Sequence, residues 1–565
     1  MSINELLHPF RRSAVALVLL GSVVVQGSVL AAEAGSQERD SALFRITPSQ
    51  YKNIVTDLFG AANMGGRFEP GIRDDGLLAL GAGRVSVTSV GFEQYDDIAR
   101  SIATDVLSEQ KRALLLTCQP KSPTQADDDC ARQFIARIGT GLYRRPLTDV
   151  ELKAQVRIAA ATSNTLKDFY AGLKASLVNM LDSANFLFRQ RRFEADPERP
   201  GLVRLDAYSK ASQLSFFLWD TGPDEELLEA ARTGALHTQK GLAEQVDRLI
   251  RSPRVESGIR AFFSDMLGFD LFSTIEKDPT AYPNFTVAAK SDAQEQTLRT
   301  IVDHVLNQDG DYRDLFTTRK TFLTQSLAAL YGVPLIETSA NGAPDRWTPH
   351  TYAEGDPRVG ILTHASFVAL HSHAARTSPT IRGKAVRENL LCQAVPPPPG
   401  NVDFTLVQGT DPRFKTARER LTAHSTNPVC AGCHKITDPI GLALENFDTA
   451  GGYRRTENGA PIDASGRLGN NQYTDVRGLS LAMHDDPAVP SCVAKRIFAS
   501  GAGHLPPSKN PQWLEVTSGF ERDGYRLLGL LRQVATSELF YAPASPQTLV
   551  ANKPGATGVQ QEARP

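Results

Sequence analysis

The chain has 565 residues, 41% of them hydrophobic, with 61 Lys and Arg set against 63 Asp and Glu. That length exceeds what one core usually organises and predicts two to four domains. The near balance of charge, with no long basic run interleaved with aromatics, leaves no electrostatic footprint for nucleic acid.

Residues 1–34 read as an address. Arg11 and Arg12 precede an apolar run over 14–30, and the small residues Ala31, Ala32 and Ala34 follow, which is the layout of a cleavable signal peptide. Gly21, Gln26 and Gly27 interrupt the run, so it makes a poor permanent span, with an uncleaved anchor as the alternative. No later segment has the length and apolarity to cross a bilayer. The expectation is a periplasmic or secreted protein without a stable membrane span after signal cleavage.

Residues 42–195 predict one or more N-terminal helical domains. Thr47-Pro48-Ser49-Gln50 supplies an N-cap, a proline at N1 and the Gln of a capping box, leading through Tyr51, Ile54, Val55 and Leu58 to a stop at Gly60. A Gly-rich stretch over 61–83 reads as loop. Helices follow near 91–107 and 128–143, and Thr148 with Glu151 forms a second capping box. Over 166–192 the spacing of Phe169, Leu173, Leu177, Met180 and Leu181 is helical and closes in a basic turn at Arg189, Arg191 and Arg192.

After a break at 193–203, residues 201–332 predict a central helical domain. Asp206 caps a helix through Leu214, Phe217 and Trp219, Pro223-Asp224-Glu225-Glu226 opens the next, and further periodicity occupies 240–251, 254–267, 291–308 and 319–331. The stripes carrying Trp219, Phe262, Phe263 and Met266 read as packing. Residues 333–400 form a connecting region. It runs as loop over 333–358, then as an apolar helix from Gly360 to His371, then through His371-Ser372-His373 and the string Arg376-Thr377-Ser378-Pro379-Thr380-Ile381-Arg382-Gly383. Pro396 to Pro399 is a stiff polyproline spacer.

The last domain, over 401–542, carries the most specific signal of the chain: Cys430-Ala431-Gly432-Cys433-His434. Two thiols three positions apart lie on one side of a helical turn, placed to bond covalently to a haem, while the adjacent imidazole reaches the iron. Competing readings are a vicinal Cys430–Cys433 disulfide, a zinc site, and a thioredoxin-like dithiol. No second ligand pair follows at finger spacing, and the flanks show no βαβ pattern. With haem on this pair, Cys118, Cys130, Cys392 and Cys492 remain. Cys118 and Cys130 bracket a short polar loop and form the natural local pair, which leaves Cys392 with Cys492, although sequence admits three pairings.

His434 is then the proximal ligand, its other ring nitrogen fixed by a carbonyl or carboxylate near Pro439. Met483 is the nominal distal ligand, with His504, His371 and His373 as alternatives. Glu445 and Asp448 read as helix caps or acceptors for backbone amides. Helices are expected near 475–484, 490–499 and 525–540, and the tail over 543–565 as disorder.

Taken together, Phe44-Arg45-Ile46-Thr47, Tyr143-Arg144-Arg145-Pro146-Leu147, the 376–383 string with Pro396 to Pro399, and CAGCHKITDPIGLALENFDTAGGYR resemble a family of secreted proteins first catalogued in planctomycetes. These carry serial domains of unknown function and end in a cytochrome c-like portion. The resemblance implies an exported, mainly α, multi-domain protein with a C-terminal cytochrome c-like helical domain and one covalent haem c. It supplies no reaction. One departure is Ala499-Ser500-Gly501-Ala502-Gly503-His504, where similar proteins close with a Tyr-Ala-Leu-Gly-Arg-like string. The function expected is electron transfer through an unknown redox partner, with a haem-dependent oxidoreductase left open. The alternative is an exported binding or scaffold protein whose Cys430–Cys433 pair is a structural disulfide.

Overall fold

The computed structural model describes residues 42–334, 346–397, 413–426 and 428–543. The signal-peptide reading, Pro398 and Pro399, the start of the last domain over 401–412 and the tail from 544 lie outside the described residues. Helices dominate, and every named strand belongs to a two-stranded antiparallel ladder.

Local chemistry fixes most helix starts. Helix α1 (Pro48–Phe59) begins at Thr47, whose side chain accepts from the Gln50 amide while Gln50 reaches back, and it stops at Gly60. Helix α2 (Asp149–Leu166) has the same reciprocal cap from Thr148 and Glu151. Helix α3 (Phe169–Leu181) is capped by Asp168 and packs along α2. Helix α4 (Ala207–Trp219) starts at Asp206, which accepts from the Ser209 amide.

Four expectations need correction. The periodicity over 166–192 does not continue as one helix: it ends at Leu181, and strand β2 (Phe188–Arg191) pairs with strand β1 (Ala42–Arg45). The basic turn is therefore interior. Arg189 donates to the Gly501 carbonyl (3.2 Å), and Arg191 to those of Ala502 (3.0 Å), Tyr541 (3.3 Å) and Ala542 (2.9 Å). Helix C-terminal carbonyls from a distant segment thus satisfy guanidiniums that the sequence placed at a basic helix end. The break at 193–203 is a hairpin, Phe193–Ala195 against Val203–Leu205. Residues 319–331 split into a strand, Lys320–Leu323 paired with Thr348–Thr351, and a helix, Gln325–Tyr331, capped by Thr324. The 61–83 stretch contains a short helix, Leu78–Gly81, whose first amides donate to the Asp265 carboxylate at 2.8 and 3.1 Å.

The core arrangement explains why the C-terminal segment matters to the whole. One cluster collects Tyr51, Ile98, Ile138, Leu177 and Phe186 from the N-terminal helices. A larger one joins Trp219, Phe263 and Phe316 to Leu444, Phe447, Met483, Phe498 and Phe540. Residues before and after position 400 thus bury one another's apolar surface. The Cys392–Cys492 disulfide links the same two segments, and Cys118–Cys130 closes its local loop. The small residues at 499–504 fit this junction. A Cβ at Gly501 would fall 2.5 Å from the Phe540 ring, and Gly503, at φ 77°, lies against Phe44.

Candidate functional site

The site is built on two helices in close contact. Helix α5 (Pro379–Ala385) is capped by the Ser378 hydroxyl, and helix α6 (Pro428–Gly441) carries the cysteine–histidine motif. They approach so nearly that a Cβ at Gly383 would lie 1.9 Å from the Thr437 carbonyl oxygen, and one at Gly441 1.8 Å from that of Pro379. Glycine is required at both positions by space alone.

Helical spacing puts Cys430, Cys433, His434 and Thr437 on one face of α6. Both sulfurs are free thiols, Cys430 buried and Cys433 half-buried. The vicinal disulfide expected under the scaffold alternative does not form. Among the described residues no three His, Cys, Asp or Glu side chains converge as a metal site, so the further ligands that zinc needs are missing there.

His434 is oriented from one side. Its Nδ1 lies 2.7 Å from Asp438 Oδ2, and because a carboxylate only accepts, Nδ1 carries the proton and the Nε2 lone pair is left for a ligand. Thr380 Oγ1 donates to Asp438 Oδ1 at 2.8 Å, and Thr437 Oγ1 donates to the Cys433 carbonyl at 3.0 Å. The His424 ring stands edge-on to His434 at 5.0 Å. Asp438 provides the carboxylate expected near Pro439. His424 and Thr380 went unrecognised as site residues: His424 belongs to no motif, Thr380 read only as part of the 376–383 string, and only the folding of α5 and of the helix Ala417–His424 brings them in.

Two cavities meet at His434. One, of about 390 Å³, is walled by Cys433, His434, Ile381, Val395, Pro396 and Leu421, with His373 and Arg376 at its edge. The other, of about 620 Å³, is more polar and holds Asp438, Lys435, Arg467 and Tyr473. Both fall in the size range of small-molecule and cofactor sites.

The distal candidates separate clearly. Met483 is fully buried in the large core, packed among apolar side chains, and lines neither cavity. His371 stacks edge-on against Phe367 at 4.8 Å, and burial, with Arg382 and Lys277 nearby, pushes its pKa down to about 3. His504 packs on Phe498 at 5.6 Å and donates from Nδ1 to the Leu505 carbonyl at 3.0 Å. Neither His371 nor His504 borders a cavity at His434. His373 does border one.

The motif strings around the site are largely one buried lock. Arg382 is fully buried and donates to the carbonyls of Leu444 (2.7 Å), Phe447 (2.9 Å), Asp448 (2.9 Å) and Val368 (3.3 Å) and to the Ser372 hydroxyl (2.9 Å). Glu445 pairs with Arg382 at 3.5 Å and Arg454 at 3.1 Å and accepts from Thr377 at 2.6 Å. Glu445 is therefore an ion-pair partner rather than an amide acceptor, because two guanidiniums converge on it. Burial raises its pKa, with both arginines opposing, and burial lowers that of Arg382 to about 10. Asp448 accepts from the amides of Ala450, Gly451 and Gly452 at 2.8 Å each, which holds the turn.

Comparison with known families finds three matches in series. Residues 130–190 match PSD5, a protein of unknown function (DUF1595). Residues 205–333 match PSD4, a protein of unknown function (DUF1592), and residues 358–457 match PSCyt3, a protein of unknown function (DUF1588). The last takes in the His371–His373 turn, the 376–383 string and the Cys430–His434 motif together. No curated protein and no solved structure matches the chain.

Proposed function

We propose that the chain is an exported c-type haem protein that transfers electrons, with one haem c bound through Cys430 and Cys433 and His434 as proximal ligand. The observation that carries this reading is the α6 face: two free thiols one turn apart beside an imidazole whose Nδ1 is tied to Asp438. The residues fit the group. Cys433 and His434 border a largely apolar cavity, and the outward nitrogen of His434 is the one not hydrogen-bonded to Asp438. Haem bound there supplies reversible one-electron chemistry at iron.

The protein's own groups have defined tasks. Asp438 keeps the imidazole in one tautomer and one orientation, and Thr380 holds Asp438 in turn. Ile381, Val395 and Leu421 give the cavity an apolar wall, and the Arg382–Glu445 lock fixes α5 against the chain that follows α6. Export is supported by the two disulfides, which belong to oxidising compartments. No helix of the described residues is long and apolar enough to cross a membrane.

The test is the intact mass of the chain produced in a host competent for cytochrome maturation, together with its Soret absorbance after acid-acetone extraction. The expected outcome is one haem added to the polypeptide mass and colour that stays with the protein. A colourless chain with the mass of its amino acids overturns the reading.

A further inference from the structure

The turn between the apolar helix Ala365–Leu370 and α5 holds one histidine in an unusual way. The His373 amide donates to the Arg376 carbonyl at 3.0 Å, and the His373 carbonyl accepts from Lys277 Nζ at 3.0 Å and Thr449 Oγ1 at 2.6 Å. Its backbone is pinned from three directions, two of them other segments of the chain. Its imidazole, by contrast, makes no hydrogen bond, ion pair or ring contact among the described residues. His373 borders the same cavity as Cys433 and His434. A fixed backbone presenting an uncommitted imidazole to a site is how preorganised ligands are built.

We infer that His373 is the second axial ligand of the haem iron, so that the two ligating imidazoles come from different segments, one before and one within the cysteine motif. This rests on the haem reading above. The other candidates are already committed elsewhere: Met483 to the core, His371 to Phe367, His504 to Phe498 and Leu505. His424 packs on His434 itself and borders neither cavity. Two nitrogen ligands close the iron and make the protein a carrier rather than a site for oxygen or peroxide.

The experiment uses the full-length haem-loaded protein, read by absorbance, electron paramagnetic resonance and carbon monoxide binding. The unaltered ferric protein is expected to be low-spin with the signature of two imidazoles and without the weak red band that methionine sulfur gives. Its ferrous form should leave carbon monoxide unbound. His373→Ala is expected to become high-spin and to bind carbon monoxide to near saturation, and added imidazole should restore the low-spin spectrum. His371→Ala, two positions away, should leave every spectrum unchanged. Carbon monoxide binding by the unaltered protein, or a His373→Ala spectrum identical to it, overturns the assignment while leaving covalent haem intact. A colourless unmodified chain overturns the haem reading and this assignment together.

Discussion

Replacing Arg382 tests whether the 376–383 and 444–448 strings are one structural device. Arg382→Met removes five donated hydrogen bonds to buried acceptors and one side of the Glu445 pair, while Arg454 and Thr377 stay on Glu445. Breaking one side of a buried pair costs about 3–5 kcal/mol, and the surviving Arg454 contact places this case near the lower end, at about 3 kcal/mol. Arg382→Lys keeps the charge but concentrates its donors at one point, so it should recover only about a third of that loss. The melting temperature is a blunt readout, because at roughly 2.1 cal/mol/K per residue a chain of this size shifts by only about 1 °C per kcal/mol. Hydrogen exchange is sharper. Amides at 380–383 and 450–452 should lose protection in Arg382→Met by about two orders of magnitude, while amides of α2 and α3 stay unchanged. Unaltered exchange at both strings in Arg382→Met would refute the argument, whatever the melting temperature does.

Three further outcomes follow from the same structure. Burial raises the Asp220 carboxyl from 3.8 to about 7, and burial with the adjacent Asp96 raises Asp182 to about 7. In each case the folded state holds a proton that the unfolded state releases, so the stabilisation is complete below about pH 4 and is lost as pH rises towards 7. Denaturant titrations across that window should give a steeper pH dependence for the unaltered protein than for Asp220→Asn. Removing Cys392–Cys492, which spans 100 residues, should cost about 4.7 kcal/mol by loop entropy, against about 3 for Cys118–Cys130, which spans 12, as read by denaturant unfolding of the paired serine variants. In the haem-loaded protein Asp438→Asn should raise the midpoint potential, because a weaker acceptor at Nδ1 makes His434 a poorer donor to iron; potentiometric titration reads it, and an unchanged potential would sink the role given to Asp438.

Helix starts were legible because capping is local: Thr47 with Gln50 and Thr148 with Glu151 satisfy each other within four residues, and no distant partner is needed. Strand pairing was illegible for the opposite reason. Phe188–Arg191 is a strand only because Ala42–Arg45 lies beside it, and nothing in the 166–192 periodicity records that neighbour. At the site, spacing alone grouped Cys430, Cys433 and His434, while the reading near Pro439 left a carbonyl and a carboxylate open and only the fold selects Asp438. The roles of Arg382 and Glu445 were not readable, since Glu445 reads as a helix cap or amide acceptor and Arg382 as one member of a string until their buried partners are seen. Met483 shows how little position along the chain decides. Its distance from His434 along the chain suited a ligand, but a thioether fills a core equally well.

The bonds from Arg189 and Arg191 to the carbonyls of residues 501, 502, 541 and 542 set an order on biogenesis. Their acceptors lie 311 to 351 positions further along the polypeptide, so two guanidiniums of the first ladder lack their partners until nearly the last segment has left the ribosome. A half-made molecule carries cationic groups with nowhere to settle, which delays closure and keeps the leading portion pliable. Under the export proposed above, that delay suits passage through a translocation channel, with maturation finishing once the whole length has arrived on the far side.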